Sequence, residues 1–390
     1  MSFPSRKAAV VGIYNSKQAR SLPDTTPWKL EIECIKGALA DAGLTHRDVD
    51  GVIPISGGGL FDHLRWVEQL GGRPIRFMDV GIAAGAVTKA AVACATGLAN
   101  VVVIFNGNAG LRVGPQGNAI GQVQPRAPRL GDMNHMIHGA YMSPWYAMWT
   151  RRYMHQFDIP EDMLANYSVI ARRHAVLNPE SVMGAKGEIT VDDVMNSRLI
   201  ADPLHLLECS LDNDGGYAIV VASEAVAKGC RSKPVWVLAG AEAAYTDFYE
   251  TITSDWISEK PQAMRTSADA TFAAAGVSRD DIDVAGMYDC FPVTMARNLE
   301  ETGFCKLGEG AAFMAEGNIT LGGKMPTNTD GGLLSHSHNG NPSGFQVTEV
   351  TKQLRGECGA RQVEGAKIGL VVSQGWAVHG IGATAILAAD

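Results

Sequence analysis

The chain has no run of apolar residues long enough to cross a membrane, no CxxC pair and no block of like charge. The longest apolar stretch, Ala90 to Phe105, is interrupted by Gly97 and Asn100. It falls short of the roughly 20 residues a bilayer demands. The apolar run after Lys7 is too short for the core of a secretion signal. Seven cysteines, an odd number and scattered, argue against a disulfide framework or a structural zinc site. No metal is therefore expected, and a reducing cytoplasm is the natural setting. Basic residues are scattered through a chain of net charge −8, which excludes the footprint of a nucleic-acid binder. What is present is a soluble composition, 46% hydrophobic and 19% charged over 390 residues, with ample core for one large or two coupled domains.

A weak internal repeat organises the chain. Ala42-Gly-Leu-Thr-His-Arg-Asp-Val-Asp-Gly-Val52 matches Ala275-Gly-Val-Ser-Arg-Asp-Asp-Ile-Asp-Val-Ala285. Each copy follows an Ala-rich helix that a glycine ends, then passes an acidic turn into an apolar strand, 52–55 or 284–287. Next, 85–95 reads as a helix and 101–105 as a buried strand; in the second copy, 344–354 reads as a helix and 367–372 as a strand. The expectation is an α/β protein of two similar halves, 1–240 and 241–390, each with helices covering a sheet.

A segment of different character, about 106–210, interrupts the first half. It is rich in Met, Trp, Tyr and His, and predicts helices around 144–157 and 161–176. Met133, Met136, Trp145, Met148 and Trp149 suit either an apolar pocket for a bulky substrate or core and dimer packing. Asp212-Asn-Asp-Gly-Gly216 then turns into a strand over 217–222.

The C-terminal third carries the specific motifs. The run Asn328-Thr-Asp-Gly-Gly-Leu-Leu-Ser-His-Ser-His-Asn-Gly-Asn-Pro-Ser-Gly344 resembles the Gly-His-Pro block of thiolases, with His338 where their histidine stands and Asn339 in place of the proline. With Gln353-Leu-Arg-Gly356 and Arg361-Gln-Val-Glu-Gly-Ala366, it resembles the lipid-transfer/sterol-carrier branch. Tyr288-Asp-Cys-Phe291 resembles the segment found in steroid side-chain-cleaving aldolases, thiolase-like proteins without the nucleophilic cysteine. The resemblance spans nearly the whole chain. It implies a thiolase fold in five αβαβα layers with a loop insertion in the first half. It also implies a tight homodimer, and coenzyme A as part of the substrate rather than a bound cofactor. A small OB-fold partner of zinc-ribbon type, completing a heterotetramer, is implied as well.

A thiolase needs a cysteine opening a buried helix, where backbone N–H groups and the helix dipole favour the thiolate. The matching segment, Asp79-Val-Gly-Ile-Ala-Ala-Gly85, has none. Cys94 sits at the end of that helix and reads as a small apolar residue. The second thiolase cysteine falls at Ser373, whose hydroxyl cannot shuttle protons near neutral pH but can donate a hydrogen bond.

The candidate catalytic residues are Tyr288, His338, Asp289 and His336. Tyr288 and His338 are an acid–base pair with roles unassigned. Asp289 orients a neighbour or caps a helix. Cys290 reads as packing. Arg151, Arg152, Arg172 and Arg173 are candidates for the coenzyme A phosphates, or equally for solvated helix faces. The leading expectation is retro-aldol cleavage of a β-hydroxyacyl-CoA, with a steroid or bile-acid side chain implied by the resemblance. The alternatives are an acyltransferase with an unfamiliar nucleophile and a non-catalytic lipid-CoA binder.

Overall fold

The computed structural model describes residues 3–55, 66–109, 142–244, 262–340, 342–375 and 380–390. The repeat appears in three dimensions, element by element. Helix α1 (Pro27–Ala42) starts at Thr26, whose hydroxyl accepts from Lys29 N, and ends at Gly43 with φ 74°. Its counterpart α5 (Ala263–Ala275) ends at Gly276 with φ 69°. In the turns that follow, Thr45 N and Ser278 N donate to Asp48 and Asp281 at 2.8 and 2.7 Å. Each turn delivers a strand, β2 (Gly51–Pro54) or β9 (Val284–Met287).

A second carboxylate repeats too. Asp50 accepts from the N–H groups of Asn100 and Val101, where β4 (Val101–Asn108) begins. Asp283 accepts from Lys367 and Ile368, where β10 (Ile368–Gly375) begins. These acidic side chains are register pins: each satisfies otherwise orphan donors at a buried strand start.

The first half contributes β3-β2-β4-β7-β1, with β1 at Ala8–Asn15, β3 at Phe77–Met78 and β7 at Gly215–Ser223. The second contributes β8-β11-β10-β9, with β8 at Val235–Ala244 and β11 at Ile381–Ala388. A lone parallel bridge from Ala285 to Thr327 stands where β3 stands beside β2. The halves meet edge to edge through the β1–β8 pairs Ala9–Trp236 and Val10–Val235, which join the nine strands in one continuous ladder. The division expected at residue 240 falls inside β8, the strand that pairs with β1 on one side and β11 on the other.

Three cores give five layers. Helix α1 covers the outer face of the first sheet with Leu30, Ile35, Ala38 and Leu39. Between the sheets lie α2 (Ala83–Ala95) and α7 (Ser343–Arg355), an Ala-rich helix and a polar one packed on each other. The outer face of the second sheet is covered by α5, α6 (Pro292–Glu301), α3 (Met142–Phe157) and α4 (Glu161–Val176). From Met142 on, the inserted segment forms a helical cap on the second half, followed by a hairpin of β5 (Leu199–Ala201) and β6 (Leu204–His205). It starts later than expected, because β4 runs on to Asn108.

Trp145 and Trp149 are core residues, with Tyr146 stacked on Phe291 at 4.4 Å. Met148 is exposed. Met133 and Met136 lie outside the described residues.

Candidate active site

The segment that should carry a nucleophile opens α2, with Ile82 at the N-cap and Ala83, Ala84 and Gly85 in the first turn. No side chain caps it in the usual way. Instead Ala84 N donates to Ser373 Oγ of β10 at 3.1 Å. The Ser373 hydroxyl, able to donate as well, here accepts, because the orphan donors of a helix start demand an acceptor. The second half thus reaches into the mouth of a first-half helix.

Tyr288 stands one residue beyond β9 and beside this point. Its N–H donates to Val372 O at 3.0 Å, and its carbonyl accepts from Asn298 Nδ2 at 2.7 Å. Tyr288 is half-buried against the outer core of the second half.

Asp289 is fully buried and its two oxygens are taken. Tyr167 of α4 donates its O–H at 2.5 Å, and Leu333 N donates at 3.0 Å. Asn328 Nδ2 donates to the same tyrosine oxygen at 2.9 Å and to Met287 O at 2.8 Å. Burial drives the Asp289 carboxyl up to about 8, against the lowering effect of the donors. Asp289 therefore couples the Tyr288 segment to the loop that carries both histidines.

That loop makes a single π-helical turn, Gly332–His336. Gly332 sits at φ 58°, and a Cβ there would lie 2.2 Å from Asp289 Oδ2. The Gly-Gly pair is thus required by close approach as well as by backbone angle.

His336 is buried within the loop. Asn178 Nδ2 donates to its Nδ1 at 3.3 Å, Phe345 packs on it edgewise at 5.3 Å, and Asp330 Oδ2 lies 3.9 Å from Nε2. Burial lowers its pKa to about 4, so it is neutral at pH 7. His338 is partly open. Its N–H donates to Asn213 Oδ1 at 2.7 Å. Burial of the ring lowers its pKa to about 4, with Asp212 pulling weakly the other way. The His338 loop leads into the N-terminus of α7, against which β9 also packs, while Ser373 of the adjoining β10 stands at the N-terminus of α2, the neighbouring helix of the central layer.

All seven cysteines are free. Burial raises every thiol: Cys34, Cys94 and Cys209 to about 12, Cys290 to about 11, and Cys230, Cys305 and Cys358 in the same direction. Arginine or lysine side chains act the other way at Cys230, Cys305 and Cys358, and Cys290 precedes the N-cap of α6, yet at each of them burial outweighs these influences. Cys94 occupies the last turn of α2 and is buried, as expected.

The four candidate arginines separate. Arg151 pairs with Asp202 at 2.6 Å, Arg152 bonds Gln156, and Arg173 lies 4.0 Å from Glu188, all on exposed faces. Arg172 alone turns inward, and its Nε donates to Ser335 Oγ at 3.2 Å. It lines a cavity of about 580 Å³ with Arg20, Lys186 and Arg198 over an apolar floor that includes Leu211 and Leu334. Leu334 lies in the histidine loop, and Asp212, also lining the cavity, precedes the Asn213 that holds His338. Arg20, Lys186 and Arg198 carried no motif in the sequence.

Residues 250–389 match the family model described as thiolase C-terminal domain-like. The steroid side-chain-cleaving aldolase of Thermomonospora curvata is 32% identical over 367 residues, covering 91% of this chain and 92% of the relative. The 17-hydroxy-3-oxo-4-pregnene-20-carboxyl-CoA lyase of Mycobacterium tuberculosis is 34% identical over 380 residues, covering 90% and 92%. The solved structure of the Ltp2-ChsH2(DUF35) aldolase superposes with a TM-score of 0.87 at 29% identity, over 100% of this chain and 99% of that one. The chain belongs to the thiolase superfamily and has the thiolase fold.

Proposed function

We propose that this chain is an aldolase of thiolase fold that cleaves a β-hydroxyacyl-CoA to a ketone and a shorter acyl-CoA. The observation that carries this is the nucleophile position: Ile82 caps the helix a thiolase cysteine would open, Ser373 faces it, and all seven thiols are held protonated. Acyl-enzyme chemistry has no group to run on, whereas a retro-aldol step needs only an acid, a base and a place for the enolate.

The neutral His338 takes the proton of the β-hydroxyl. The C–O bond becomes a carbonyl as the Cα–Cβ pair moves onto the thioester, giving an enolate. Tyr288, by its phenolic O–H, delivers a proton to Cα. The proton on His338 then returns to the tyrosinate through water. Asp289 and His336 act through the loop, not on substrate. The cavity walled by Arg172, Arg20, Lys186 and Arg198 has the volume and charge to take the coenzyme A portion. The printed activities of the two relatives support a steroid side-chain thioester as substrate.

We propose also that the enzyme works as a homodimer, with the edge strand β3 and its exposed Met78 offering the seam. The two-component name of the Ltp2-ChsH2(DUF35) aldolase supports a small OB-fold, zinc-ribbon partner completing a heterotetramer. Among the described residues no helix is long and apolar enough to cross a membrane. Seven unpaired cysteines support a cytoplasmic setting.

The test is a pair of incubations, one with a β-hydroxyacyl-CoA and one with a β-ketoacyl-CoA. Ketone release without consumption of free coenzyme A supports the aldolase. Turnover only when coenzyme A is added would establish an acyltransferase, and no turnover on either would leave a binding protein.

A further inference from the structure

His338 belongs to the second half by sequence, yet side chains of the first half hold its loop. Asn213, just before β7, accepts the His338 N–H at 2.7 Å through Oδ1. Its Nδ2 donates to Ser337 Oγ at 2.9 Å and to Asp214 O at 3.1 Å. Ser337 Oγ donates in turn to Gln18 Oε1 at 2.8 Å. Gln18 is anchored in turn on Ser16 O at 2.7 Å and Gly216 O at 3.2 Å.

On the following residue the grip is repeated. Asn108, at the end of β4, donates Nδ2 to Asn339 O at 2.8 Å, and Asn339 Nδ2 donates to Gly215 O at 3.0 Å. Gln18, Asn108, Asn213 and Asn339 are all buried. Asn108 Oδ1 and Asn339 Oδ1 are buried without a partner, which suits a place that receives a donor better than a finished core.

We propose that this set of neutral amides is a clamp for His338, with Asn213 as its chief positioning residue and Asn108 and Asn339 closing the other side. The inference rests on His338 being the base of the reaction proposed above. Three properties favour it. Each amide offers both a donor and an acceptor, so the two backbone groups flanking the imidazole, His338 N and Asn339 O, are bonded at once. None of the four titrates, so the clamp fixes the ring without adding a charge that would change its protonation. The clamp spans the two halves, so the base is placed relative to the first-half groups at the mouth of α2 rather than relative to its own loop. Asn339 stands where the thiolase motif has proline, which could make neither the Nδ2 bond to Gly215 nor any side-chain acceptor.

The clamp is tested by titration of the His338 imidazole by NMR in the full chain, the signal assigned by its loss in His338→Gln. Asp212 is the charged group acting on that ring, so it is left unchanged in every variant. With the wild type, His338 should remain neutral to about pH 4. In Asn213→Ala the ring is freed toward water, and its pKa should rise by roughly one unit or more as desolvation is relieved. Asn108→Ala, acting from β4, should move it in the same direction and serves if Asn213→Ala does not fold. Cleavage should show kcat lowered about 10-fold or more, the scale of a misplaced base, with KM nearly unchanged and the acid limb of kcat/KM moved to higher pH. A general loss of packing would lower kcat without moving that limb. Folded variants in which His338 titrates as in the wild type would overturn the clamp. A wild type that cleaves nothing, together with a shifted titration in the variants, would sink the aldolase reading and leave the clamp standing.

Discussion

Replacing Gly332 by Ala should be among the most damaging single-methyl changes in this chain. Gly332 has φ 58°, in the left-handed region, which costs a non-glycine residue about 1–2 kcal/mol. The added Cβ would also lie 2.2 Å from Asp289 Oδ2 and 3.1 Å from the Tyr167 hydroxyl oxygen. Asp289 cannot retreat, because it is fully buried and holds Tyr167 and Leu333. Either the carboxyl or the loop must shift, and two buried hydrogen bonds of about 1 kcal/mol or more each are lost. The expected destabilisation is therefore about 3–5 kcal/mol, a large part of the roughly 5–15 kcal/mol typical of a folded domain.

Gly322 is the control: its φ is 81° and nothing lies within 4 Å of a Cβ placed there. Gly322→Ala should cost only the backbone part, about 1–2 kcal/mol. Denaturant unfolding followed by circular dichroism measures both variants side by side. If Gly332→Ala proves no worse than Gly322→Ala, the Asp289 contact is not rigid and the account of how the loop is held fails.

Tyr288→Phe removes one hydroxyl and little bulk, and should slow cleavage of β-hydroxyacyl-CoA about 10²–10⁴-fold, the range for one acid–base group. Cleavage at the normal rate would remove the tyrosine from the mechanism. Cys94→Ala should leave turnover nearly intact at a cost of about 1 kcal/mol, as for deletion of a small buried group; lost activity with intact folding would mean the nucleophile has been misplaced. His174, His336 and His338 are held near 4 by burial, below the unfolded value of 6.5. The unfolded chain thus binds more protons between those values, and stability present above pH 6.5 should be lost as pH falls toward 4. A denaturation midpoint that stays flat from pH 7 to pH 5 would contradict the buried, neutral state of these rings.

The duplication was readable in the sequence because its signals are local. A glycine stop, a Ser/Thr-x-x-Asp turn and a strand lie within about ten residues of one another, and each copy repeats them at Gly43 and Gly276. The helix–strand order that followed was legible for the same reason. The phosphate-binding candidates were chosen from adjacent arginines, which local reading could not tell apart from solvated helix faces. Neighbours on a helix point about 100° apart, so the two members of a pair need not share an environment. Arg172 and Arg173 divide in this way. The other cavity cations come from three separate segments, Arg20 before α1, Lys186 after α4 and Arg198 before β5. No spacing rule joins them. The Asn328–Tyr167–Asp289 chain was hidden likewise, since Tyr167 lies 122 and 161 residues from its two partners and meets them only once the helical cap is folded.

The seat at the mouth of α2 has a consequence for how this lineage can change. A cysteine introduced at Ile82 would gain a helix N-terminus, the setting that favours a thiolate. It would still face Ser373, whose oxygen is engaged by Ala84 N and whose hydroxyl cannot exchange protons near neutral pH. A single reversion would thus supply a thiol able to take up an acyl group, with no second thiol to complete a Claisen cycle: a trap instead of a turnover. The way back to thiolase chemistry requires two coordinated changes from opposite halves, the first of them harmful alone. The two positions lie on opposite halves, so thiolase chemistry is reached in this fold only when both change together, whereas the chemistry the chain now supports can be tuned one residue at a time.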